Sequence, residues 1–175
     1  MQYHIRAEIP ADYLQIRALN QDAFARNTEA ELVEKLRQEK SYIPGLSLVA
    51  VSGQKAIGHL LLSPVQITSN SSDPKESLAL APMAVATGYQ KMGIGGALIK
   101  AAKIKALQQG YTSIIVLGHP AYYPRYGFKP ASHFKIHCPF PVPDEAFMAI
   151  ELIPEALLDS PGTVIYPSPF MELED

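Results

Sequence analysis

The chain has 175 residues and a mass of 19.1 kDa, with 47% hydrophobic and 18% charged residues. This size and composition are typical of one globular domain and exclude a mainly disordered or fibrous chain. Lys plus Arg number 15 against 17 Asp plus Glu, which gives a net charge of −2. That balance provides no overall attraction to nucleic acid or to an anionic membrane, so neither is predicted as a partner.

Cysteine content and the absence of long apolar runs bear on the compartment. Cys138 is the only cysteine, which excludes an internal disulfide and a zinc site built from several cysteines. His133 and His137 lie near it, but no further ligand follows at a zinc-type spacing, so no metal is predicted. No apolar run reaches about 18 residues, and the first residues lack a basic head followed by an apolar stretch. We therefore expect a cytoplasmic protein.

The N-terminal part has apolar residues first at strand spacing and then at helical spacing. Polar and apolar residues alternate over 2–8, which predicts a strand. Apolar residues at helical spacing predict helices over 12–25 and 28–39. Thr28, with Glu31 three residues later, has the spacing of a capping box at the start of the second helix. The order at this end is therefore strand, helix, helix.

The rest of the chain alternates apolar runs with turn residues. Ser52-Gly53-Gln54 between two apolar runs predicts a hairpin, and a glycine turn before 93–109 predicts a long helix ending at Gly110. Ten of the 15 prolines lie from Pro120 onward, so short strands and turns are predicted there. The expected strands after the first are 48–51, 56–62, 78–86, 112–117, 135–140, 146–152 and 163–166. This order predicts an α/β (α+β) domain around a mixed sheet.

The segment Gln90–Gly96, called the phosphate-binding turn below, leads from a buried strand into a helix that begins with glycines. The first N–H groups of a helix have no helical partner, and the helix dipole adds positive charge there, so this turn suits a phosphate or diphosphate. A Walker loop does not fit, because Ile94-Gly95 stands where Lys followed by Ser or Thr is needed. A dinucleotide fingerprint fits poorly, because Leu98 stands where the third glycine belongs.

Two motifs in the chain carry a resemblance to a known family. Gln90, Gly93 and Gly95 form a Q-x-x-G-x-G signature, and Tyr123 stands four residues before Gly127-Phe128 in a Y-x-x-x-G-F segment. The sequence resembles the GNAT superfamily of acetyl-CoA-dependent N-acetyltransferases, from residue 3 to about 152. Residues 117–120, Leu-Gly-His-Pro, are similar to the YhbS-like branch of bacterial acetyltransferases.

The resemblance implies a fold and a coenzyme. It implies one acyl-CoA N-acyltransferase domain over residues 1–175, with a mixed, mostly antiparallel sheet of about 6–8 strands flanked by about four helices. Backbone groups of the fourth strand would hold the pantetheine arm of acetyl-CoA, and N–H groups of the phosphate-binding turn would hold its diphosphate. The implied coenzyme-binding residues are Met83, Ala84, Val85, Gln90, Lys91, Met92, Gly93, Ile94, Gly95 and Gly96. Lys91, Lys100 or Lys103 would meet the 3′-phosphate, although a solvated face suits Lys100 and Lys103 better.

The resemblance also implies catalytic roles. The Val85 N–H would donate to the thioester oxygen, and Tyr123 would be the general acid for the leaving thiolate, a workable role for a phenol. Leu78-Ala79-Leu80-Ala81 of the fourth strand offers no carboxylate, and Glu76 lies before the predicted strand. His119 is the candidate base or water relay, beside the alternative of a structural histidine.

The acceptor and the assembly stay open at the sequence level. The acceptor is predicted to be a primary amine on a small molecule or peptide, attacked directly in a ternary complex. It would be recognised by the early helices, the loop over 69–75 and the C-terminal tail. The alternatives are a catalytically silent CoA-binding regulatory module and a nucleotide-binding module. A homodimer paired through short C-terminal strands is a further possibility.

Overall fold

The computed structural model describes residues 1–173, which form one nine-stranded sheet with helices on both faces. Each predicted helix and strand overlaps one in the structure, although the strand predicted over 56–62 runs on to Thr68. The α-helices are α1 (Tyr13–Phe24), α2 (Thr28–Leu36) and α3 (Ile94–Gln108). The strands are β1 (His4–Ala7), β2 (Ser47–Ser52), β3 (Lys55–Thr68), β4 (Lys75–Val85), β5 (Ser113–Leu117), β6 (Lys129–Pro130), β7 (Ile136–His137), β8 (Phe147–Glu151) and β9 (Gly162–Ile165).

The sheet is mostly antiparallel and follows the order β1-β2-β3-β4-β5-β8-β6, with β9 paired to β3 and to β7. The predicted hairpin is present, and Gly53 takes a positive φ of 61° in the turn between β2 and β3. Parallel pairing occurs between β4 and β5 and between β7 and β9. The parallel β4–β5 pair is possible because α3 provides the crossover between them.

The sheet opens between β4 and β5. These strands pair only from Leu78 to Leu80, opposite Ile114 to Val116. Beyond this point β4 stays paired to β3 as far as Val85, and β5 stays paired to β8. On β4 two residues, Ala81 and Pro82, stand between the residues paired to Leu62 and Leu60 of β3, so the strand is bulged where the separation begins. The two parallel strands therefore diverge while the sheet on either side remains intact.

Two apolar cores lie on the two faces of the sheet. One contains Ile16 of α1, Leu36 of α2 and Phe170 of the C-terminal tail. The other contains Leu98 and Ala102 of α3, both fully buried. Side chains alternate between faces along each strand, so the apolar runs of the central strands supply both cores. The helices are thereby fixed around the opening between β4 and β5.

A buried polar network joins β1, the α2 end and β3 beneath the first core. The Glu8 carboxylate accepts hydrogen bonds from Arg37 at 2.9 and 2.8 Å and another from the Tyr42 hydroxyl. Burial opposes ionisation of Glu8, but these bonds outweigh it and lower its pKa. His59 is fully buried, 3.0 Å from the Ser47 hydroxyl, and burial lowers its pKa to about 4. The folded state thus favours an ionised Glu8 beside a neutral His59.

The described residues differ from the sequence-based expectations in three details. They hold three α-helices rather than about four, with short 3-10 turns between other elements. The nine strands exceed the expected 6–8 because β6 and β7 have two residues each. The capping box was wrong: Thr28 is already helical, Asn27 is the N-cap, and no side chain caps the helix. Within residues 1–173, no helix is long and apolar enough to cross a bilayer.

Candidate active site

The opening between β4 and β5 presents backbone groups of β4 that no strand pairs. The Ala86 N–H donates to the Ile57 carbonyl of β3 at 2.9 Å. Backbone groups alternate in direction along a strand, so those of Val85 and Met83 point away from β3, into the opening. In agreement, the Val85 carbonyl accepts a hydrogen bond from Gln90 Nε2 at 3.1 Å. The N–H groups of Met83 and Val85 therefore face the opening, whereas those of Ala84 face β3.

The phosphate-binding turn follows directly and has an unusual backbone. Lys91 and Gly93 both take left-handed conformations, with φ of 63° and 82°. When left-handed and right-handed backbone conformations alternate, successive N–H groups point toward the same side. They then form a concavity that binds an anion. Asp22 of α1 holds the 3-10 turn Thr87–Tyr89 just before it by accepting hydrogen bonds from the Thr87 N–H at 3.2 Å and hydroxyl at 2.5 Å. The turn is therefore held both by β4 and by α1.

The first turn of α3 combines free N–H groups with close packing. The first i−4 bond at this end runs from Ala97 N–H to the Gly93 carbonyl, at 3.0 Å, so the N–H groups of 94–96 have no helical partner. A Cβ on Gly96 would lie 2.6 Å from the Tyr126 hydroxyl, and one on Gly95 would overlap the Tyr122 hydroxyl. Space around Gly93 is open. Packing thus explains Gly95 and Gly96, and backbone conformation explains Gly93.

Tyr123 lies at the end of the opening, in a short 3-10 turn after β5. Its side chain packs edge-on against Phe128 at 5.6 Å between ring centroids and against Tyr122 at 5.1 Å. The residue is only 9% exposed, yet it lines the cavity described below. Burial raises the pKa of the Tyr123 hydroxyl to about 12. The phenol consequently keeps its proton at neutral pH.

His119 lines the same cavity but has a bond that limits its chemistry. Its Nδ1 accepts a hydrogen bond from the Ala121 N–H at 3.2 Å. In a neutral imidazole that accepts at Nδ1, the proton resides on Nε2. Its carbonyl accepts from the Tyr122 N–H at 3.0 Å. The contacts therefore make His119 a stabiliser of the turn that carries Tyr123, and base catalysis by its ring requires the Ala121 bond to break.

Cations are unequally distributed around the opening. Lys91 and Arg125 both line the cavity, and the Arg125 guanidinium lies 4.7 Å from the Tyr122 ring centroid. Lys103 donates to the Tyr126 carbonyl at 2.5 Å, so it ties the tyrosine segment to α3. Lys100 does not line the cavity. Lys91 and Arg125 are therefore candidate cations for phosphate groups, whereas Arg26, which also lines the cavity, pairs with Glu29.

A cavity of about 1000 Å³ connects these features. It begins at the phosphate-binding turn, follows the β4–β5 opening past Tyr123 and continues to the α1–α2 connection and the C-terminal tail. Phe140, Tyr166 and Phe170 of the C-terminal part of the chain and Glu29 of α2 also line it. The cavity therefore reaches β4, the phosphate-binding turn and Tyr123, and it also includes residues of α2 and of the C-terminal part of the chain.

Most of the predicted residues meet at this cavity. Those that line it are Met83, Val85, Gln90, Lys91, Gly93, Ile94, Gly95, His119 and Tyr123, whereas Ala84, Met92 and Gly96 do not. The loop over 69–75 is also outside its lining. Sequence reasoning missed Arg26 and Glu29, which no local motif marks, and gave no role to Arg125, although Arg125 stands inside the Y-x-x-x-G-F segment. Residues 1–173 contain no group of three His, Cys, Asp or Glu side chains placed to hold a metal ion.

A mixed sheet split between parallel strands, with a glycine turn and helix after the first of them, defines an acetyltransferase fold. The model of the GNAT acetyltransferase family matches residues 13–128. The chain belongs to this family. The uncharacterized N-acetyltransferase YjhQ of Escherichia coli K12 is 38% identical over 136 residues, covering 77% of this chain and 75% of YjhQ.

Two solved structures extend the similarity over nearly the whole chain. The crystal structure of the GNAT family N-acetyltransferase YhbS from Escherichia coli in complex with CoA superposes with a TM-score of 0.91. It is 31% identical, and the match covers 99% of this chain and 94% of YhbS. A GNAT family acetyltransferase from Brucella melitensis in complex with acetyl-CoA is 30% identical, with a TM-score of 0.78. That match covers 97% of this chain and 98% of the other.

Proposed function

We propose that residues 1–175 form a single acyl-CoA N-acyltransferase domain that transfers the acetyl group of acetyl-CoA to a primary amine. The observation that carries the proposal is one continuous cavity that joins the phosphate-binding turn, the unpaired backbone of β4 and the Tyr123 side chain. Complexes of two similar proteins with CoA or acetyl-CoA support the choice of coenzyme. The reaction would take place in the cytoplasm.

Coenzyme binding would depend mainly on backbone groups. The N–H groups of Met83 and Val85 would hold the pantetheine arm as an added strand in the opening, because strands recognise extended chains through main-chain hydrogen bonds. The N–H groups of Gly93 to Gly96 would hold the diphosphate, with the α3 dipole adding positive charge. Lys91 and Arg125 would contribute their charge beside it.

The transfer needs a polarised carbonyl and a route for two protons. The amine nitrogen bonds to the acetyl carbon, the carbon–sulfur bond breaks with its electron pair going to sulfur, and the two protons lost by the ammonium go to sulfur and to solvent. The Val85 N–H would donate to the thioester oxygen, which gains negative charge during attack. A donor already fixed in place stabilises that charge without reorganisation.

Tyr123 would deliver the proton to sulfur. Because its pKa is raised to about 12, the phenol is a weaker acid than an ordinary thiol, whose pKa is about 8.5. A lone phenol would not protonate a thiolate to completion. The hydroxyl therefore donates to sulfur while its own proton is replaced from the amine side, so that no free phenolate accumulates.

Direct attack in a ternary complex is favoured by the position of Cys138. A covalent route would need a nucleophile at the reacting carbon. Cys138 packs against the core on the α1–α2 face and does not line the cavity, and burial raises the pKa of its thiol. Neither its position nor its acidity suits an acetyl carrier.

The test compares Tyr123→Phe with Tyr111→Phe, a control that lies away from the cavity. Calorimetry would measure acetyl-CoA affinity, and release of the CoA thiol with a panel of amines would measure turnover. We expect Tyr123→Phe to bind acetyl-CoA normally and to turn over about 10²-fold more slowly. Wild-type protein that binds acetyl-CoA but acetylates no amine would instead indicate a silent CoA-binding module. Failure to bind acetyl-CoA would refute the proposal.

A further inference from the structure

The Val85 carbonyl faces the opening between β4 and β5 and already has a hydrogen-bond partner there. Val85 stands opposite Gly58 of β3, and the Ala86 N–H donates to the Ile57 carbonyl at 2.9 Å. A pair of residues beside such a bond is not itself hydrogen-bonded, so its N–H and C=O groups point away from the partner strand. Gln90 Nε2 donates to the Val85 carbonyl at 3.1 Å. One of the two groups that Val85 turns to the opening is therefore occupied by a side chain of the same protein.

The Gln90 side chain can move although its backbone is held. The Tyr89 N–H donates to the Ala86 carbonyl at 2.8 Å just before it, and Lys91 just after it has a left-handed backbone with φ of 63°. Gln90 itself is extended, exposed to solvent and part of the cavity lining. Rotation about its side-chain bonds would take the amide away from Val85 without changing the backbone of the phosphate-binding turn.

The donor to Val85 is a carboxamide, which is the group that the pantetheine arm carries in two places. An extended chain adds to the free edge of a strand by pairing its N–H and C=O groups with those of the strand. Full pairing of the arm with β4 would therefore use the Val85 carbonyl as well as the Val85 N–H. A carbonyl oxygen has two lone pairs, but β3 covers the other side of Val85, so both donors would have to approach from the opening.

From this contact we infer that the Gln90 side chain and the pantetheine arm compete for the Val85 carbonyl. The inference rests on the proposed function. Gln90 would have to release Val85 before the arm could pair fully with β4, so its side chain would weaken coenzyme binding. The N–H groups of Gly93 to Gly96 would hold the diphosphate whether or not the amide is bound to Val85, so the effect would be confined to the arm.

The first experiment separates the arm from the rest of the coenzyme. Calorimetry would measure the affinities of CoA and of 3′-phosphoadenosine 5′-diphosphate, which is CoA without the arm, for the wild-type protein and for Gln90→Ala. The ratio of the two affinities cancels any change at the phosphates that both ligands share. We expect this ratio to rise about threefold in Gln90→Ala, because one exposed hydrogen bond between neutral groups is weak in water.

A second variant and a control assign the effect to the amide. Gln90→Met keeps a flexible side chain of similar length without the N–H donor, so its ratio should rise as in Gln90→Ala. Gln15→Ala is the matched control, because Gln15 is exposed, donates through Nε2 to the Gln54 carbonyl at 3.0 Å and does not line the cavity. The control should leave the ratio unchanged.

The outcomes separate the inference from the proposed function. A ratio that is unchanged or lower in either Gln90 variant, while the wild-type protein binds CoA, would overturn the competition and leave the proposed function intact. An equal rise in Gln15→Ala would overturn the competition as well. Failure of the wild-type protein to bind CoA would refute the proposed function and the inference together.

Discussion

The ring of Tyr123 lies against the backbone of Gly118, in space that any larger side chain at position 118 would occupy. A Cβ built on Gly118 would overlap Cε2 of the ring and stand 3.0 Å from Cδ2. Gly118 directly follows β5 and donates its N–H to the Ala146 carbonyl at 2.9 Å, which holds its backbone in place. Gly118 thereby sets the position of the phenol relative to the β4–β5 opening.

Gly118→Ala should therefore impair turnover more than coenzyme binding. The methyl group pushes the Tyr123 ring away from its position, and a displacement of about 1 Å in a catalytic group costs about 10²-fold. Acetyl-CoA affinity, measured by calorimetry, should change less than about threefold. Gly88→Ala is the control, since a Cβ there meets nothing within 4 Å and the backbone is unstrained. Normal kcat in Gly118→Ala would show that the phenol position is not critical.

The close packing of Gly95 against Tyr122 predicts a rescue. A Cβ on Gly95 overlaps the Tyr122 hydroxyl, but the next atoms, Tyr122 Cζ and Met83 Cε, would be 3.5 and 3.6 Å away. Gly95→Ala should lower the free energy of unfolding by about 1–3 kcal/mol through overpacking. Adding Tyr122→Phe removes the overlapping oxygen and should restore stability, which urea unfolding would measure. A double variant no more stable than Gly95→Ala would mean that the clash is not the cause.

The raised pKa of Tyr123 predicts the alkaline side of the activity profile. With a pKa of about 12, the phenol holds its proton across the measurable range. Turnover at saturating amine, corrected for uncatalysed hydrolysis of the thioester, should not fall between pH 8 and 10.5. A fall with a midpoint near pH 10 that is absent from Tyr123→Phe would contradict the burial of this hydroxyl.

The buried network at Glu8 predicts a loss of stability on acidification. Burial lowers the pKa of His59 to about 4 from about 6.5, so the unfolded chain binds a proton more readily between these values. Stability should therefore be full above pH 6.5 and fall by up to about 3 kcal/mol toward pH 4. The lowered pKa of Glu8 acts in the same direction below about pH 4.5, because protonation removes its charge from Arg37.

Urea unfolding at several pH values would measure this effect. His59→Gln should remove most of the slope between pH 6.5 and 4.5, because glutamine does not titrate. His137→Gln, at an exposed position, should leave the slope unchanged. A stability that does not vary with pH in the native protein would contradict a neutral, buried His59.

The order of elements was predictable because local patterns determine it. The hairpin followed from Ser52-Gly53-Gln54, and the start of α3 followed from its glycines. The capping box failed by one residue, since Asn27 and Thr28 are both acceptable caps and only the fold selects between them. The two-residue strands β6 and β7 have no periodicity to detect.

The coenzyme half of the cavity was more predictable than the acceptor half. A strand, a glycine turn and a helix are contiguous in sequence, so the phosphate-binding turn could be located directly. Glu29 and Phe140 are far apart in the chain, and only the fold brings both into the lining of one cavity. Register also decides that Met83 and Val85, rather than Ala84, turn their N–H groups to the opening. Composition alone does not tell which residues of the strand turn their N–H groups to the opening.

A crystal structure of the protein with CoA tests the central claim most directly. The account predicts the diphosphate within hydrogen-bond distance, about 3 Å, of the N–H groups from Gly93 to Gly96. It also predicts the pantetheine arm between β4 and β5, with sulfur within about 3.5 Å of the Tyr123 hydroxyl. A diphosphate bound away from the head of α3, or a sulfur that points away from Tyr123, would contradict it.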